Sequence, residues 1–171
     1  NEKSEINFSN PKISSITIDA HKMLQAPYGT GVFICRKGLI ENVLTKEAEY
    51  VEGMDLTLCG SRSGANAVAV WMILFTYGPY AWYEKISILM MRTQFLTKEL
   101  DALGIEYYNC PFMNIVTIKA EFVPENIAHK FGLVPQQHNE NNKWYKIVLM
   151  DHVEVEHLTN FIDEMKASKN G

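Results

Sequence analysis

Cysteine is scarce in this 171-residue chain, with only Cys35, Cys59 and Cys110. They are odd in number, far apart and set in apolar stretches. That argues against a disulfide framework and for a reducing, cytoplasmic setting. No CxxC pair occurs. The histidines at 21, 129, 138, 152 and 157 fall at no ligand spacing, so no metal is expected. An excess of basic charge is lacking too. The formal net charge of −4 leaves no footprint for nucleic acid. No apolar run reaches the roughly 20 residues of a membrane-spanning helix, and no signal segment is present, so no membrane partner is expected. Repeats and low-complexity tracts are absent. Position 1 is Asn rather than Met, so the chain is expected to be a piece of a longer protein or a trimmed one.

What remains suits a globular core, with 47% hydrophobic and 11% aromatic residues. The chain is organised around Ser14 to Arg36, SSITIDAHKMLQAPYGTGVFICR. Ile16 and Ile18 alternate with Thr17, which predicts a strand. His21 and Lys22 follow in a sharp turn. A loop through Pro27, Gly29 and Gly31 leads to the apolar run Val32 to Cys35. A lysine at the end of a buried strand is unusual, because burying an ammonium is costly. Such an amine can have a lowered pKa and attack a carbonyl.

Elsewhere, residues 1–12 are polar and read as a disordered lead-in. Leu39 to Leu44 suggests a short helix. Asp55 to Gly64 alternates and then turns through Gly and Ser, with Ser63 as an N-cap. Ala65 to Tyr77 is apolar nearly all round and reads as a buried helix too short to span a membrane. Gly78 and Pro79 interrupt it. Tyr80 to Leu103 is amphipathic and stops at Gly104. Strands are predicted over 105–109, 112–119, 133–134 and 144–150. Helices are predicted over 124–131 and 153–166. Asp151 and His152 read as turn residues. The second half is therefore a small α+β unit with an antiparallel or mixed sheet.

Three segments, IDAHKM, PYGTGVFICR and CGSRSGA, stand in an order and spacing that resembles the C-terminal half of the group II pyridoxal-phosphate (PLP) dependent amino-acid decarboxylases. That family includes the tyrosine, aromatic amino-acid, histidine and glutamate enzymes. The resemblance runs from about Ser14 to Met165. It implies an α/β fold: part of a PLP fold type I large domain over 1–78, then a long linking helix and a small C-terminal α+β domain over 79–171. It implies PLP held by Lys22, with His21 beside the cofactor phosphate. Asp19, where members carry small polar residues, is expected to point away from that phosphate. Tyr50 would return a proton to the substrate α-carbon, acting from the neighbouring subunit. Ser61 and Arg62 would line the partner's site. The implied reaction takes an L-amino acid, with tyrosine or another aromatic favoured, to its amine and CO2. It implies a homodimer and an N-terminal part of the same enzyme preceding this chain. This chain alone is expected to be inactive or barely active. Two alternatives stand beside this one: a PLP-dependent carbon–carbon lyase acting on phosphorylated amines, and a non-catalytic homologue serving as a dimerisation module.

Overall fold

The computed structural model describes residues 5–43, 62–137 and 142–170. The chain divides into two compact units, Asn1–Pro79 and Tyr80–Gly171.

In the first unit, β1 (Ser15–Asp19) and β2 (Gly31–Cys35) form an antiparallel hairpin, with Ile16 opposite Ile34 and Ile18 opposite Val32. A 3-10 turn follows at Ile40–Val43, within the stretch predicted as a short helix. The lead-in is not loose over its described residues. Arg36, just past β2, donates from Nε to the Ile13 carbonyl at 2.8 Å. Its NH2 group donates to the carbonyls of Phe8 and Asn10, at 2.9 and 2.8 Å. One guanidinium thus draws residues 8–13 back onto the hairpin, using the fixed fork geometry of arginine.

Helix α1 (Gly64–Ala102) opens with Ser63, whose Oγ accepts from the Asn66 N–H at 3.3 Å, as an N-cap should. It is broken at Gly78, whose φ of 61° and ψ of 179° belong to no helix. That region is open essentially to glycine alone. Pro79 then begins the second stretch, where its missing N–H costs nothing. The first stretch departs from the expected buried helix. Val70 packs with Ala20 and Ala26, but Trp71, Met72 and Phe75 are exposed, Phe75 at 75%. Among the described residues nothing covers this face. Apolar composition reports that a surface wants cover, not that it has it.

The second unit is built on a four-stranded sheet of order β3-β4-β6-β5: Tyr107–Asn109, Ile115–Lys119, Trp144–Val148 and Val134–Pro135. All three pairings are antiparallel. β4 starts later than its apolar run predicts, because Phe112 and Met113 sit in a turn and are largely exposed. Along β4, Val116 and Ile118 face the core and alternate with half-buried neighbours. Two helices supply the other layer. From α1, Leu89, Thr93, Leu96 and Leu100 are buried at spacings of four, three and four, one face of a helix. From α3 (Val155–Asn170), Leu158, Phe161, Ile162 and Met165 repeat the pattern. The short α2 (Glu125–Lys130) adds Ile127 and Ala128.

Gly104 ends α1 at φ 60°. The Ile105 N–H reaches the Leu100 carbonyl, and the Gly104 N–H reaches Asp101, each at 3.0 Å. This is a Schellman closure, with its accompanying contact between two buried apolar residues. Gly132 ends the α2 segment the same way. No helix among the described residues is long and apolar enough to cross a membrane.

Leu100 is fully buried in this core. Leu100→Ala is expected to cost about 2–5 kcal/mol by urea unfolding of the C-terminal unit. Phe75→Ala should stay within about 0.5 kcal/mol, because that ring is already in water.

Candidate active site

The hairpin turn is shaped by one carbonyl. Thr30 O accepts from the N–H of Ala20 at 2.9 Å and of His21 at 3.4 Å, and from His21 Nδ1 at 3.2 Å. A carbonyl only accepts, so Nδ1 carries the proton in this bond. The Thr30 hydroxyl in turn donates to the Pro27 carbonyl. The Ala26 N–H closes back on Ala20 O at 3.0 Å. Ala20, Ala26 and Thr30 are buried beneath this turn. Gln25 takes the left-handed conformation at φ 55°, a sharp reversal for a non-glycine residue. The His21 ring lies 5.3 Å from that of Tyr28, tilted by 56°.

Lys22 projects from this turn. Its Nζ lies 2.8 Å from Asp19 Oδ2, and the side chains are 67% and 45% exposed. This corrects two expectations. Lys22 does not end a buried strand, since Ile18 in β1 is itself exposed. Nor is its pKa lowered. The hydrogen bond it donates to Asp19, and then the Asp19 charge, hold it above the ordinary 10.5. The same partner lowers the Asp19 carboxyl below 3.8. Desolvation, which would depress the amine, is the weakest influence on it. Asp19 was assigned no role from sequence. Its spacing of three residues from Lys22 was the signal available, because a turn brings such neighbours together.

Of the other expected site residues, Arg62 is exposed just before α1. Tyr50 and Ser61 lie outside the described residues. The structure therefore brings His21, Lys22 and Asp19 together. As a donor set the cluster fits PLP in part. It offers a solvent-reachable primary amine for the cofactor aldehyde and an adjacent imidazole for its phosphate. Asp19 pairs with the amine instead of standing beside a phosphate.

No family model matches the chain. Among solved structures, it superposes on the sphingosine-1-phosphate lyase of Burkholderia pseudomallei with a TM-score of 0.72 and 16% identity, covering 94% of this chain and 39% of that one. The fold is therefore that of the fold type I PLP enzymes. In sequence it is 55% identical over 166 residues to the tryptophan decarboxylase of Clostridium sporogenes. It is 31% identical over 176 residues to a probable L-tyrosine/L-aspartate decarboxylase of Methanococcus maripaludis. These matches cover 97% and 96% of this chain, but 40% and 44% of the relatives. The chain belongs to the group II PLP-dependent amino-acid decarboxylase family and spans less than half the length of the relatives it matches.

The Asp19–Lys22 pair gives a signed prediction. Asp19→Asn removes what holds the ammonium protonated, so the Lys22 amine should titrate at lower pH, closer to 10.5. A pH profile of Lys22 labelling by an acylating reagent reads this directly. An unchanged midpoint would show that the pair does not form in solution.

Proposed function

We propose that this chain provides the cofactor-holding lysine of a PLP-dependent decarboxylase that takes an aromatic L-amino acid to its amine and CO2. The observation that carries the reading is the 55% identity to a tryptophan decarboxylase along nearly the whole chain. The tyrosine/aspartate relatives stand lower, at 31%, which favours tryptophan over tyrosine as substrate. Because the chain spans about 40% of that relative, activity is assigned to a protein of the relatives' length, acting as a cytoplasmic homodimer. The 171-residue chain alone is expected to be inactive.

When bound, PLP supplies an aldehyde that captures amines and an electron-poor ring that accepts the electron pair left by the departing carboxylate. The chain's own residues do the rest. Lys22 must lose a proton before its amine can bond to the aldehyde, and Asp19 sets how readily it does so. Lys22 is the amine that would hold the cofactor, and Asp19, 2.8 Å from its Nζ, is placed to pair with that amine as an ammonium when it is free. His21 is fixed by its Nδ1–H bond to Thr30. It can donate to a phosphate only from Nε2–H, so this contact requires the imidazolium. Tyr50 is the proposed donor of a proton to the α-carbon, a role open to a phenol within hydrogen-bond reach. Ser61 and Arg62 are proposed to line the site of the partner subunit.

The test uses a form of the protein as long as its relatives. PLP is added and reduced with borohydride, and the peptides are mapped. The pyridoxyl group should sit on Lys22 and be lost in Lys22→Ala. Release of labelled CO2 from carboxyl-labelled amino acids should be greatest with tryptophan. Labelling of Lys22 without CO2 from any amino acid would turn the reading to a carbon–carbon lyase. Absence of Lys22 labelling would turn it to a non-catalytic dimerisation module. Tyr50→Phe should lower kcat about 10²–10⁴-fold, the usual span for a lost general acid, and leave Lys22 labelling intact.

A further inference from the structure

A cavity of about 540 Å³ opens in the C-terminal unit. Its origin is the shortness of β5. That strand pairs only Val134 with Lys146 and Pro135 with Tyr145, so among the described residues β6 beyond Lys146 has no strand neighbour on that side. Gly132, at φ 61°, turns the chain off α2 before it can run further along β6. The space left is walled by Phe131, Leu133, Val148, Val153, Leu158 and Phe161. Phe131 and Phe161 stand edge to face, 5.4 Å between centroids and 74° between planes.

Among the described residues the charged groups of the lining are two lysines, with two histidines beside them. Lys130, Lys146, His152 and His157 line the cavity, and no Asp or Glu does, although the chain as a whole carries −4. Lys130 is already bonded to Glu164 and is the least available of the four. Lys146 has no acidic partner among the described residues. His152 and His157 flank the start of α3 at Val155. The first N–H groups of a helix lack intrahelical partners there, and the dipole favours an anion. Glu154 and Glu156 occupy the same turn but do not line the cavity. The volume lies within the range of small-molecule sites, about 300–1,000 Å³.

We propose that this cavity binds a small apolar monocarboxylate of the aryl-alkanoate class. The aromatic body packs on Phe131, Leu133 and Val153, which keep part of their surface open. The carboxylate turns towards Lys146, His152 and His157. The site does not depend on the decarboxylase reading, since it shares no residue with the Lys22 cluster.

The probe is 4-phenylbutyrate, titrated into the 171-residue chain with isotope-labelled Leu and Val methyls. Saturable shifts are expected at Leu133, Val148, Val153 and Leu158. 4-Phenylbutylamine, of the same shape and opposite charge, should not produce them. Lys146→Glu and His157→Glu, both exposed positions, should each weaken the carboxylate by about tenfold or more with the remaining spectrum unchanged. The proposal is overturned if no shifts appear at millimolar probe, or if they fall outside the cavity. It is overturned equally if the amine binds as well as the acid, which also decides the matter should either variant fail to fold.

Discussion

Three donors converge on the carbonyl of Thr30, and the hairpin turn hangs from that convergence. A carbonyl oxygen has two lone pairs, so three donors crowd it and leave little room for another geometry. The Ala20 bond continues the strand ladder into the turn. The His21 bonds stop it and fix the ring. With the backbone of His21 held, Lys22 can point only outwards, over the carboxylate of Asp19. The position of the Lys22 amine is thus set by backbone hydrogen bonding, not by packing around its own side chain.

The C-terminal unit rests on different physics. Its stability comes from an apolar layer between one sheet face and two helices, where each fully buried leucine contributes roughly 1.5–3 kcal/mol. Surface contacts align the pieces. Lys166 reaches Glu99 at 3.1 Å across α3 and α1. Arg92 NH1 donates to the carbonyls of Asp151 and Val153, at 3.0 Å each, at the entry to α3. Such exposed pairs are worth little individually, with a median of about 0–1 kcal/mol. Arg92 fixes where the chain re-enters the helical layer, which decides which α3 residues meet β4.

Much of this was legible from residue order. The amphipathic pattern over 80–103 and the run over 153–166 announced their helices, although Tyr83 and Ile86 of the expected apolar face are exposed. Gly104 and Gly132 announced the stops. The turn bearing His21 and Lys22 followed from its flanking strands. What could not be read was cover. Ile18, Trp71 and Phe75 carry apolar side chains that sequence alone assigns to a core, and all three are exposed among the described residues. Lys22 followed the same false inference: a strand taken as buried implied a depressed amine, and an exposed one beside Asp19 gives the reverse. Tyr50 and Ser61 lie outside the described residues, so their roles rest on resemblance.

The break at Gly78 also resets the phase of the helix. In an unbroken rod every residue fixes the angular position of all that follow, by about 100° each. With φ 61° and ψ 179° at one position, that regular progression is broken at Gly78. An insertion or deletion of one residue before Gly78 would rotate the exposed aromatic face and leave the seating of the second stretch on β4 and α3 as it is. The two stretches can therefore drift in length independently, one under the constraint of its own core and the other under that of whatever surface it serves.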